Sequence, residues 1–270
     1  MQGLFDLSGK VVVITGGSGV LGSELSRGLA KAGARVAILN RSGADELVAE
    51  IKGQNGDAIS ITFDALSKES ILQAREEVLA KYGTVDILVN GVGGNMPSAT
   101  TSPNLSFFDL AEEDLDTVVR LNFMGTLLPS QVFGEVFAEK KEGVILNISS
   151  MAAIRPLTNV VGYGSAKAAV DNFTQWLAVH LNKHYSANIR VNAMAPGFFL
   201  TKQNRFLLTD EKTGDLTARG RTILEHTPMN RFGDPSDLVG TAIWLVSDAS
   251  KFVTGIVVPV DGGFAAFSGV

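Results

Sequence analysis

The sequence has no cysteine. Disulfides, thiolate nucleophiles and thiolate metal sites are therefore excluded, and a reducing cytoplasm is the simplest location. Histidine is scarce. His180 and His184 stand four apart, but no third and fourth ligands accompany them, so a surface helix is expected rather than a metal site. There is no basic block. With 23 Lys and Arg against 28 Asp and Glu, the net charge of -5 argues against nucleic acid or an anionic membrane as partner. No apolar run approaches the ~18 residues of a membrane span. The opening "MQGLFDLSGK" lacks the basic head and apolar segment of a secretory signal. What is present, 45% hydrophobic and 19% charged residues in 270, is the composition of a globular chain able to bury a sizeable core as one domain over 1–270.

Short apolar, β-branched runs alternate with segments of helical period. Strands are expected at 10–15, 35–39, 58–63, 85–90, 143–149, 189–195 and 255–260. Helices are expected near 20–32, 44–53, 67–82, 112–141, 160–185 and 235–247. Ala166, Ala169, Val170, Phe173, Leu177 and Leu181 recur at steps of three and four, an apolar stripe. Asp234 is placed to cap the last helix, with Pro235 at its first position. Strands apolar along their whole length, alternating with helices, predict an α/β fold: a Rossmann-type, doubly wound, parallel sheet of about seven strands with helices on both faces. Ligands of such sheets sit at the carboxyl ends of the strands. Two long connections, 91–111 and 197–233, are therefore candidate substrate loops. The second carries the polar stretch "TDEKTGD", read as a lid.

"TGGSGVLG" (15–22) follows the first strand and opens the first helix, the place where backbone amides and a helix N-terminus receive a pyrophosphate. Two registers fit, G-x-G-x-x-G and T-G-x-x-G-x-x-G. The second is favoured: Gly16 and Gly19 lie near the phosphates, and Gly22 permits close packing of the helix. NAD-binding folds usually carry a carboxylate at the end of the second strand for the ribose 2′-OH. This chain has Asn40 and Arg41. With no acid to repel a 2′-phosphate and an arginine able to pair with it, NADP is favoured over NAD.

The strongest chemical signal is "YGSAK". Tyr163 and Lys167 are four apart, on one face of a helix. A neighbouring ammonium is expected to lower the phenol from its usual ~10 and suit it to proton transfer. Ser150, in "NISS" after the fifth strand, can donate a hydrogen bond to a substrate oxygen. Asn122 lies in the long helix before that strand. "NGVGG" (90–94) and "APG" (195–197) also fall at strand ends.

Taken in order along nearly the whole chain, these motifs resemble the short-chain dehydrogenase/reductase family, in its compact single-domain branch. The resemblance implies a nicotinamide cofactor, NAD(P), and a homotetramer. It implies proton transfer by Tyr163, polarisation of the oxygen by Ser150, and Lys167 binding the nicotinamide ribose. Asn122 would hold a water of a proton relay. The cofactor set is Gly16, Ser18, Gly19, Val20, Leu21, Asn40, Arg41, Asp64, Ala65, Asn90, Gly91, Tyr163, Lys167, Pro196, Gly197, Phe199 and Thr201. Within it Asp64 would meet the adenine and Asn90 the adenine ribose, with 196–201 beside the carboxamide. The sequence departs from the branch in two places: Val20 replaces a motif glycine that Gly19 supplies one residue early, and "NGVGG" replaces the usual "NNAG".

The expected pocket walls (93–99, 151–156 and 198–231) are rich in amides and cations. Asn95, Arg155, Lys202, Gln203 and Arg205 are the candidate substrate contacts, with Arg231 nearby. This suits a keto or hydroxy acid bearing hydroxyls. Phe198, Phe199 and Phe206 either wall the pocket or pack the loop. "GGNMP", "NISSMAAIRPLT", "APGFFLTKQNR" and "VVPVDGGFAAFSGV" further resemble the D-mannonate oxidoreductases (fructuronate reductases) of hexuronate metabolism within that family. The alternatives are a keto-gluconate or 3-oxoacyl thioester reductase of the same mechanism and, more remotely, a non-catalytic nicotinamide sensor. The ending "FAAFSGV" is apolar and small, and is expected to be ordered against this subunit or a neighbour.

Overall fold

The computed structural model describes residues 2–200, 208–210 and 213–269. Its strands are β1 (Val11–Thr15), β2 (Arg35–Asn40), β3 (Asp57–Thr62), β4 (Ile87–Asn90), β5 (Gly143–Ile148), β6 (Ile189–Pro196) and β7 (Val257–Val260). The longer helices are α1 (Val20–Lys31), α2 (Asp45–Gly53), α3 (Lys68–Tyr82), α4 (Glu112–Lys140), α6 (Val161–His184), α7 (Ala218–Glu225) and α8 (Asp237–Val246), with a single turn, α5 (Met151–Ile154), after β5. Every strand pairing is parallel, in the order β3-β2-β1-β4-β5-β6-β7.

The parity of the central strands explains the layers. Val12 and Ile14 face one way, against Leu25, Leu29, Leu238 and Leu245 of α1 and α8. Val11 and Val13 face the other way, toward Ile71, Val78, Phe133, Phe137, Leu177 and Leu181 of α3, α4 and α6. Each fully buried aliphatic or phenylalanine side chain contributes about 1.5–3 kcal/mol. Strands covered on both faces have no use for alternating polar residues, which is why β1, β4 and β6 are buried throughout. The edge strands β3 and β7 are the ones with exposed positions.

The order reverses at β1, whose neighbours β2 and β4 carry the chain outward in opposite directions. This is the crevice where α/β sheets bind ligands. In register, Thr15 lies opposite Asn90, Asn90 opposite Asn147, and Ile148 opposite Met194. The carboxyl ends of the four central strands thus form one row.

Two expectations are corrected. The connection 197–233 contains a helix, α7, capped by the Thr217 side chain, which accepts from Gly220 N–H. The last helix begins at Asp237, so Pro235 is outside it; the Asp234 carboxylate instead accepts from the Ser236 N–H in the preceding turn.

Candidate active site

The glycine loop leaves β1 at Gly16, whose φ of 68° is open to glycine at little cost. A Cβ there would lie 2.9 Å from the Gly91 carbonyl oxygen, and one on Gly91 would lie 2.7 Å from that of Thr15. The two loops after β1 and β4 therefore touch through bare backbone. Gly22, inside α1, backs onto the Gly16 carbonyl so closely that a Cβ would sit 2.2 Å from it. Gly19 is the N-cap of α1 and contributes no side-chain cap, so the first-turn amides of Val20 and Leu21 have no side chain shielding them. A bare backbone cradle ending in an uncapped helix N-terminus fits a pyrophosphate.

Asn40 ties the end of β2 to this loop. Its Oδ1 accepts from Ser18 N–H at 3.1 Å, and its Nδ2 donates to the Ser18 hydroxyl. Arg41 is exposed beside it. Asp64 is exposed after β3, accepting from Leu66 N–H, and Ala65 is buried. Asn90 departs from expectation. Its Nδ2 donates to Ser130 and Asn147, both at 2.9 Å, in the interior between β4, α4 and β5. Only the backbone of Asn90 can border the crevice. Similarly, the Phe199 ring is buried against Gly233, leaving the backbone of Pro196, Gly197 and Phe199 to line that side.

Tyr163 is held in the first turn of α6, with its hydroxyl bonded to Ser150. Ser150 in turn caps α5, accepting from Ala152 N–H at 3.1 Å. Lys167 is buried one turn further on; its Nζ donates to the Ile148 carbonyl at 2.8 Å and lies 5.8 Å from the centre of the Tyr163 ring. Asn122, fully buried on α4, grips Gly94 from both sides. It accepts from Gly94 N–H at 3.1 Å and donates to Gly94 O at 2.7 Å and to Val118 O at 2.8 Å. A Cβ on Gly93 would come within 2.6 Å of Asn122 Oδ1 and 3.0 Å of Lys167 Nζ. So Asn122, Lys167, Tyr163 and Ser150 converge on one cleft at the ends of β4 and β5.

The electrostatics correct one expectation. Burial raises the Tyr163 phenol above its usual value, and the Ser150 hydroxyl only partly offsets that. Lys167 does not depress it; its ammonium donates instead to the Ile148 carbonyl. Burial pushes Lys167 itself down to about 8, opposed by the Asp171 carboxylate.

The expected substrate residues fare unevenly. Arg155 directs Nε and one Nη to the Ala265 carbonyl, at 3.0 and 2.7 Å, so it clasps the chain's own C-terminal segment rather than offering a free fork to a carboxylate. Asn95 donates to Thr100 at 2.8 Å. Arg231 forms a paired contact with Asp237. Thr201, Lys202, Gln203, Asn204, Arg205 and Phe206 lie outside the described residues. The "TDEKTGD" stretch, where described, is a small hairpin: Thr209 bridges Leu216, and Asp210 N–H donates to Asp215 O.

The C-terminal segment is ordered against its own subunit. Asp261 accepts from the N–H groups of Gly263 and Ala265, Phe264 packs edge-on against Phe198 at 5.1 Å, and Phe267 meets His226. Phe198 therefore packs the loop to the tail. The single cation in 151–156, Arg155, gave no sign of this partnership.

Three comparisons agree with this geometry. The family model for short chain dehydrogenases matches residues 10–212. An oxidoreductase of Bacillus subtilis, UxuB, of uncharacterized activity, is 48% identical over 276 residues, covering 98% of each chain. The crystal structure of a proposed D-mannonate oxidoreductase from Haemophilus influenzae, with bound NAD, superposes with a TM-score of 0.92 at 44% identity, covering 98% of each chain. The 5-keto-D-gluconate 5-reductase of Escherichia coli is 34% identical, covering 97% of this chain and 98% of its own. The chain belongs to the short-chain dehydrogenase family. It is an NAD(P)-dependent oxidoreductase acting on a CH–OH group. Among the described residues, no helix is long and apolar enough to cross a membrane.

Proposed function

We propose that the enzyme interconverts a keto and a hydroxy sugar acid, D-fructuronate and D-mannonate, with Tyr163 as general acid/base. The observation that carries the chemistry is the convergence of Ser150, Tyr163, Lys167 and Asn122 on one cleft. The substrate assignment is supported by the likeness to the proposed D-mannonate oxidoreductase. The 5-keto-D-gluconate reductase supports the wider class, sugar acids, and is the second reading.

A nicotinamide supplies hydride transfer when bound. The glycine cradle and the α1 amides of Val20 and Leu21 would hold its pyrophosphate, with Asp64 and Ala65 toward the adenine. Lys167 would hold the nicotinamide ribose, and the backbone of 196–199 the carboxamide. In reduction, the keto carbon gains a hydride while Tyr163 gives its proton to the keto oxygen. Ser150 donates a hydrogen bond to that same oxygen as charge develops on it. Asn122 fixes the 93–94 loop against the cleft. NADP is favoured over NAD by Arg41 and the missing acid after β2. The NAD bound in the Haemophilus protein supports the opposite preference. Lys202, Gln203 and Arg205 stand as candidates for the substrate carboxylate and hydroxyls.

The protein acts in the cytoplasm as a homotetramer of single-domain subunits. An apolar groove of about 910 Å³ between α3, α4 and α6, flanked by exposed Trp176 and Val179, supports burial of that face by a second copy. Incubation of the purified protein with D-fructuronate and NADPH or NADH tests both assignments. Coenzyme oxidation with D-fructuronate is expected. Inertness with it, alongside turnover of 5-keto-D-gluconate, overturns the mannonate reading.

A further inference from the structure

The end of β5 and the first half of α6 meet in a ladder of three rungs. Ser150 meets Tyr163, the Ile148 carbonyl receives Lys167, and Ser149 faces Asp171. The three α6 residues are spaced i, i+4 and i+8, one above another on a single helix face. The first two rungs belong to the site described above. The third has no part in it, and it is physically odd. Asp171 Oδ1 is sealed from solvent without a well-formed hydrogen bond, and so is the Ser149 hydroxyl oxygen. A carboxylate oxygen buried in this way is costly unless a charge compensates for it. The compensating charge is the Lys167 ammonium, one turn earlier. Each is the charged group that acts on the other.

We infer that Asp171 is a positioning residue for the reaction, its buried carboxylate keeping Lys167 an ammonium directed at Ile148 and the coenzyme site. This inference rests on Lys167 serving the coenzyme ribose. The neighbouring elements bring no rival charge. On α4, Asp116 and Arg120 are exposed and Glu135 pairs with Arg75. On β6, Arg190 is committed to carbonyls of Leu245, Ser247 and Val253, at the opposite end of the strand. The segments 148–150 and α5 carry no titratable side chain. Burial alone drives Lys167 toward the neutral amine, and Asp171 opposes this. Without the carboxylate, Lys167 would lose its proton at lower pH, and with it the charge offered to the coenzyme ribose.

The test is the pH dependence of NADPH and NADH binding, read by coenzyme fluorescence between pH 6 and 9.5, which needs no substrate. Asp171→Asn is expected to move the midpoint at which affinity falls to lower pH by at least about half a unit. Asp171→Glu is expected to restore most of that shift. The pH profile of turnover should move with it. Asp171→Ala repeats the measurement if the asparagine variant fails to fold. Charge-removing variants that keep the wild-type midpoint overturn the inference, as does Asp171→Glu behaving like Asp171→Asn. A variant that only melts earlier, with its midpoint unmoved, marks Asp171 as merely structural. Wild-type protein that binds neither coenzyme would instead refute the coenzyme assignment on which the inference rests.

Discussion

Replacing Gly22 with alanine would place a Cβ 2.2 Å from the Gly16 carbonyl oxygen and 2.9 Å from the Gly17 Cα. An ordinary contact is about 3.5 Å, so helix α1 and the loop must part by roughly 1 Å. Neither side yields easily. Gly16 N–H donates to Leu39 O at 2.8 Å, and its own carbonyl accepts from Gly19 N–H at 3.0 Å. Overpacking of this kind costs about 1–3 kcal/mol, and alanine's better helix propensity returns about 1 kcal/mol. The net loss is then at most about 2 kcal/mol, a fall in Tm of up to roughly 8 °C for a domain of this size. The loop shift acts directly on the proposed phosphate cradle, so coenzyme binding should weaken at least about tenfold, equivalent to ~1.4 kcal/mol. Gly240, in α8, is the matched control, since nothing lies within 4 Å of a Cβ there. Gly240→Ala should raise Tm by a few degrees and leave the coenzyme Kd unchanged. Fluorescence titration with NAD(P)H and thermal melts read both variants. Wild-type coenzyme affinity in Gly22→Ala would show that the contact with Gly16 does not shape the cradle.

Three further outcomes are expected. Tyr163→Phe should lower kcat by about two to four orders of magnitude while coenzyme affinity stays near wild type; turnover close to wild type in a steady-state assay removes Tyr163 as the acid. Arg41→Ala should weaken NADPH binding more than NADH binding, and equal losses for the two coenzymes would count against a 2′-phosphate contact. Burial holds Lys167 at about 8 in the fold, below its unfolded value of 10.5. Between those pH values the unfolded chain binds more protons. The wild type should therefore gain stability with rising pH relative to Lys167→Met, by on the order of 3 kcal/mol. A Tm difference between the two proteins that stays constant from pH 7.5 to 10.5 would contradict this.

The sheet was legible because its strands are buried on both faces, and continuous β-branched runs have few other uses. The helices α1, α4 and α6 followed from apolar periodicity. Helix α7 was missed, although Thr217 ahead of "ARGRTILE" is a serviceable N-cap signal, because the long polar stretch before it reads as loop. That Asn122, Ser150, Tyr163 and Lys167 would come together was legible from type and spacing. What each side chain touches was not. Asn90 turns into the interior because Asn147 and Ser130, far away in sequence, offer partners there. Arg155 reads as a free cation until Ala265 arrives from the other end of the chain. Asp171, four residues past Lys167, reads as an ordinary helix carboxylate until the fold buries its Oδ1 beside Ser149.

The sequence by itself determined the α/β class, the glycine loop before α1 and the chain order of the groups that meet in the cleft, since those depend on local periodicity and on spacing within single turns. Only the tertiary structure decided which way the groups face and what charge they carry. A hydrogen-bond partner brought from elsewhere in the chain, and the loss of water around Tyr163, Lys167 and Asp171, are properties of packing. Burial raises the tyrosine and lowers the lysine, against what their proximity in the sequence alone implies.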